Sequence, residues 1–181
     1  AVAEATTAHK LSSPALVLLT RQWVIRGLDG WMTRLHRAGG WIFYTFPAQI
    51  IYLLISAVGL YLFTRILGDA RFKFGGGNLG QSAALLWLAA ILPIVIHELA
   101  HALTTKHYGC EVHQGGLMLY FGMPAAFVDT TDIWTQGKRA RLAVTWAGPY
   151  TGLVISGLCS ITIWLWPGLG PAPLLFQVAV V

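Results

Sequence analysis

The sequence predicts an all-α membrane protein. The expected architecture is a multi-pass helical core of three complete spans plus the start of a fourth, with a short β-like or re-entrant segment after the second span. Three observations predict it. Apolar residues make up 56% of the 181-residue chain and charged residues 10%, whereas soluble domains carry about 25% charged residues. Three stretches almost free of charge reach the roughly 20 residues that cross a hydrocarbon layer. The cationic residues gather in short segments between those stretches.

Residues 1–40 are expected to form an N-terminal polar tail and an amphipathic interfacial helix. Ser13-Pro14 supplies a cap and a first-turn proline. From Ala15 to Arg37 apolar residues mix with Arg21, Arg26, Arg34 and Arg37, and Val24, Leu28, Trp31 and Leu35 share one helical face. Such a helix suits the headgroup region of a bilayer. A tail helix docked on protein is the alternative.

Residues 41–181 are expected to form the transmembrane core, truncated at its C-terminus. Trp41 to Thr64 holds no charge and is the first span. A polar loop with Arg65, Asp69, Arg71 and Lys73 follows and closes on "GGGN". Leu79 to Leu103 is the second span and Leu142 to Trp166 the third. After "GLGPAP" a fourth apolar run starts at Leu174 and continues to Val181. Residues 104–141 lack a helical pattern, and "GGLMLYFGMPAAFVD" fits short strands or a re-entrant loop.

The net charge of +5 lies in short loops beside apolar runs. That placement argues for headgroup contact and topology rather than nucleic acid. Five Lys and Arg residues fall in the N-terminal segment, four in 104–141 and three in 65–78. The bias places the N-terminus and the 104–141 side in the cytoplasm. The two cysteines, Cys110 and Cys159, form no disulfide framework.

Function is concentrated in "HELAH", His97 to His101. Residues four apart share a helix face, so His97 and His101 can aim imidazole nitrogens at one ion. Neutral imidazole suits Zn2+ at about 2.0–2.1 Å. Glu98 is offset by about 100° and can serve a water beside that ion as general base. Ionisable groups within membrane-spanning segments are costly, which favours a functional reading. The alternative is a polar cluster that joins helices. His107 tempts as a third ligand, but a continuing helix turns it about 240° away from His101. Asp129 and Asp132 either close a turn or contact substrate or metal.

"HELAHALTTKHYGCEV", "GGLMLYFGMPAAFVDTTDIW" and "KRARLAVTWAGPYTGL", taken in order, resemble the site-2 protease family of membrane zinc metalloproteases, in its bacterial peptide zinc metalloprotease branch. The likeness covers roughly residues 85–160. It implies zinc on His97 and His101, with Glu98 as catalytic base. The family's third ligand, an Asp followed by Gly in a later span, is expected beyond Val181. Asp29-Gly30 stands before the motif, in the wrong order, and does not inherit the role. "AGPYTGL" resembles the family's Gly-Pro element, although the Asn that often follows it is missing. The implied activity is hydrolysis of a membrane or membrane-adjacent polypeptide, with the lipid bilayer as surroundings. The rival reading is a non-catalytic, protease-like subunit packed against neighbouring membrane subunits, for example in a respiratory or photosynthetic complex.

Overall fold

The computed structural model describes residues 22–69, 79–120, 123–167, 175–176 and 178–179. The expected helix start at Ser13-Pro14, the "GGGN" element and the "GLGPAP" stretch lie outside the described residues. The chain runs β1 (Gln22–Arg26), α1 (Leu28–Arg37), a 3-10 turn (Gly40–Tyr44), α2 (Phe46–Gly68), α3 (Leu79–His107), β2 (Gln114–Tyr120), β3 (Met123–Val128), a second 3-10 turn (Thr131–Thr135) and α4 (Lys138–Leu165).

The architecture corrects the expected all-α core of three spans and part of a fourth. The described chain combines four helices with a three-stranded antiparallel sheet in the order β1-β2-β3. Among the described residues two helices, α2 and α4, are long and apolar enough to cross a membrane. Only short helical pieces, at 175–176 and 178–179, are described where the fourth span was expected. Hydropathy does not distinguish an apolar residue facing lipid from one facing protein. In the last two turns of α3, Ala102, Leu103, Thr104 and Thr105 are all buried. Ala102 packs with Met32 of α1 and Val112 before β2. By contrast α2 shows Ile51, Leu53, Leu54 and Leu60 at its surface.

The single amphipathic helix expected over 15–37 is also corrected, within residues 22–37. Gln22–Arg26 is a strand, and only Leu28–Arg37 is helical. Gly27 stands between them at φ 77, a left-handed backbone that breaks helical continuity. Trp23, Val24 and Ile25 are aromatic or β-branched, and the pairing partner that uses this preference is distant in sequence. Trp23 pairs with Leu117 and Val24 with Gly116. Gly116 is required there, since a Cβ would come 2.0 Å from the Trp23 carbonyl oxygen.

The first span was expected to begin at Trp41. Instead, Gly40–Tyr44 forms a 3-10 turn, and α2 starts after Thr45 with Pro47 in its first turn. The second was expected to end at Leu103, yet α3 runs one turn further, to His107. Its stop is set by Gly109 at φ 78. The Gly109 amide donates to the Lys106 carbonyl at 2.9 Å and the Cys110 amide to the Thr105 carbonyl at 3.1 Å. This is the paired-bond ending that a left-handed glycine supplies.

α4 packs against both α2 and α3. Its contact with α2 is backbone on backbone. A Cβ on Gly59 would lie 2.1 Å from the Gly157 Cα, and one on Gly157 would lie 2.6 Å from the Ile55 carbonyl oxygen. The contact of α4 with α3 places Gly148 opposite the histidine motif.

Candidate metal centre

The motif lies in the second half of α3, four residues past Pro93. His97 and His101, one turn apart, have ring centroids 4.8 Å apart and planes at 72°. Both Nε2 atoms point at the same part of α4. A Cβ built on Gly148 would stand 2.3 Å from His97 Nε2 and 2.4 Å from His101 Nε2. Two imidazole nitrogens thus converge on the Gly148 backbone, a close approach that a side chain at 148 would block.

The tautomer of one ring is fixed by the same helix. His101 Nδ1 lies 2.6 Å from the Val144 carbonyl oxygen, an acceptor with no proton of its own. Nδ1 must therefore carry the hydrogen, which leaves the Nε2 lone pair facing the gap. A metal-binding imidazole is commonly oriented by just this kind of bond from its other nitrogen. The donor set and its tautomer fit a divalent ion such as zinc, with His97 and His101 as ligands. Among the described residues no group of three His, Cys, Asp or Glu side chains is arranged to share a metal. The pair thus supplies two ligands.

Glu98 is turned from the pair by one helical step. Its carboxylate lies beside the Val128 amide at the end of β3. It also opens, together with His97, onto a cleft of about 570 Å³ between α3 and α4. The walls are mostly apolar: Pro93 and Ile94 from α3, Pro149 and Leu153 from α4, and Val178 beyond it. Ser156 bonds the Ala179 carbonyl at 2.7 Å and so ties residue 179 to the rim.

Other sequence candidates lie elsewhere. His107 points away from the motif, with its ring stacked on Tyr44 at 4.0 Å and its Nδ1 3.3 Å from His36 Nε2. Burial pushes the Tyr44 hydroxyl up to about 12, against the opposing effect of its 3.0 Å bond to Thr104, so it stays protonated. Asp29 bonds Lys106 at 2.7 Å and the Val112 amide at 2.9 Å. Desolvation raises its pKa, but Lys106 and that amide outweigh it and hold the carboxyl below its usual value. Its role is to dock α1 onto the end of α3. Asp129 closes a turn on the Thr131 hydroxyl and amide, which lower its pKa. Asp132 accepts from His113 at 2.9 Å, and this bond raises the exposed imidazole above its ordinary value. Cys110 and Cys159 are free and buried, Cys110 among Ile133, Ala140 and Val144.

A curated relative, an uncharacterized protein of Methanocaldococcus jannaschii, is 39% identical over 114 residues. The match covers 54% of this chain and 31% of the relative, so the chain spans less than a third of that protein's length. No family model matches the chain, and no solved structure matches it.

Three contributors to the site had escaped sequence reasoning. The Val144 carbonyl and the Val128 amide are backbone groups and leave no residue signature. Gly148 had a signal in "AGP", but that signal indicates close helix approach without saying what is approached.

Proposed function

We propose that the protein is a membrane-embedded zinc metallopeptidase of site-2 protease type, which hydrolyses a peptide bond in a membrane or membrane-adjacent polypeptide. One observation carries the reading: two imidazole Nε2 atoms converge over a glycine, one of them held in the metal-binding tautomer by a backbone carbonyl. Zinc, when bound there, supplies a Lewis acid that polarises a carbonyl and acidifies water. The residues of the chain do the rest. His97 and His101 hold the ion. Glu98 takes the proton of the attacking water on a carboxylate oxygen and returns it to the leaving amine nitrogen. The Val128 amide lies beside that carboxylate. The apolar cleft beside it suits an extended, apolar stretch of substrate and limits water around the scissile bond.

In this reading the N-terminal segment and the motif side face the cytoplasm. The Asp29–Lys106 bridge supports a shared side for the N-terminal segment and the end of α3. Arg26, Arg34, Arg37, Lys138, Arg139 and Arg141 add the positive charge favoured on a cytoplasmic face.

The second reading is a non-catalytic subunit of protease-like build. Metal analysis and cleavage of a membrane-spanning peptide decide between them. The peptidase reading expects zinc in the purified full chain, one equivalent fewer in the His97→Ala/His101→Ala double variant, and no cleavage by Glu98→Gln despite retained zinc. Zinc unchanged in the double variant, or cleavage undiminished in Glu98→Gln, overturns it. Zinc binding without cleavage by the wild type supports the subunit.

A further inference from the structure

A second pair of imidazoles meets at the far end of α3, where the proposed peptidase has no use for it. His36 comes from the last turn of α1 and His107 from the last turn of α3. We propose that His36 and His107 form a separate site for a tetrahedral divalent ion of the zinc type. The inference uses no residue of the peptidase reading and stands or falls apart from it.

The spacing is the first argument. His36 Nε2 and His107 Nδ1 are 3.3 Å apart. Two imidazoles on one tetrahedral zinc, each at about 2.0–2.1 Å, hold their nitrogens about 3.3–3.4 Å apart. A square-planar ion with the same bond lengths would hold adjacent nitrogens only about 2.8–3.0 Å apart. As a hydrogen bond between two neutral rings, 3.3 Å is long. An ion set to one side of the line between the two nitrogens would take both lone pairs at a separation the protein already sets.

Rigidity is the second argument. The His107 ring lies flat on Tyr44, with centroids 4.0 Å apart and planes at 14°. Tyr44 is pinned in turn by its hydroxyl on Thr104, whose own hydroxyl donates to the Ala100 carbonyl. α1 is fastened to α3 by Asp29 on Lys106, so His36 is delivered to His107 by an anchored element. The same bridge offsets Lys106, the cation next to His107, which would otherwise repel a metal ion. The pair is exposed, which leaves the remaining coordination positions to water or to an outside carboxylate.

The test is zinc and cobalt(II) titration of the purified full chain, with circular dichroism as a check on folding. In the His97→Ala/His101→Ala background, which removes the motif pair, one zinc should still bind. Cobalt(II) in that background should give the strong visible bands of a tetrahedral ion. Adding His36→Gln or His107→Gln should abolish both signals while the fold is retained. If the double variant binds no zinc, or if the added Gln substitutions leave binding unchanged, the second site does not exist. Weak octahedral cobalt bands would likewise overturn the tetrahedral assignment.

Discussion

Two histidine pairs involve α3, barely two turns apart along it, and their surroundings differ in kind. His97 and His101 belong to one helix, face a glycine on α4 and adjoin an apolar cleft with a carboxylate on its wall. His36 and His107 come from two helices, rest against a tyrosine ring and meet at an exposed junction with no acid among their contacts. The first has a fixed tautomer on one ring, an adjoining cleft and a neighbouring carboxylate, which the proposed hydrolysis would use. The second has spacing and rigidity, which suit holding an ion rather than activating one. Identical side chains thus acquire different chemistry from what the opposite element presents.

The sharpest break in this comparison is Glu98→Gln. General-base loss should lower peptidase turnover by about 10²–10⁴-fold, with zinc content unchanged, in a cleavage assay run beside metal analysis. A matching change at the other pair, His36→Gln, should leave turnover near wild type.

The scaffold under the first pair is probed next. Gly157→Ala would drive a methyl into the Ile55 carbonyl oxygen at 2.6 Å, where backbone must give way. The cost should be about 2–3 kcal/mol, read as earlier thermal unfolding in detergent. Gly148→Ala meets ring atoms rather than backbone, 2.3–2.5 Å away. Helix propensity returns up to about 1 kcal/mol, so the net loss of stability should be smaller, about 1–2 kcal/mol. Its larger effect is selective: zinc should leave the motif pair and remain at His36 and His107.

Asp29→Asn tests the anchor of the second pair. Removing the partner of a well-covered Lys106 should cost about 1 kcal/mol and weaken zinc at His36 and His107 while sparing the motif. The smallest effect concerns His113, which shares neither pair. Its folded pKa is raised by Asp132, so whatever stability it contributes is complete below the unfolded value near 6.5 and is lost as pH rises through the higher folded value. Ring-proton NMR titration should find that raised value, and Asp132→Asn should bring it down.

Legibility from sequence divides along chain distance. The i, i+4 spacing of His97 and His101 is a local property of a helix, and α3 keeps it. The turning of His107 away from the motif follows from the same period. The apolar character of α2 and α4 is likewise written in consecutive residues. What could not be read was the partner of each element. Gln22–Arg26 looked helical beside Leu28–Arg37, because its β2 partner lies some ninety residues downstream. The burial of the end of α3 depended on α1 and on the segment before β2 coming to cover it.

The sequence by itself determined which candidate residues share a helix face, since backbone periodicity fixes that. Only the tertiary structure decided what stands across from them: a glycine and a carbonyl for one pair, a tyrosine and another histidine for the other. Those juxtapositions span 43 and 71 residues of chain. They are set by how whole elements pack, a balance of many weak contacts that no short stretch of sequence contains.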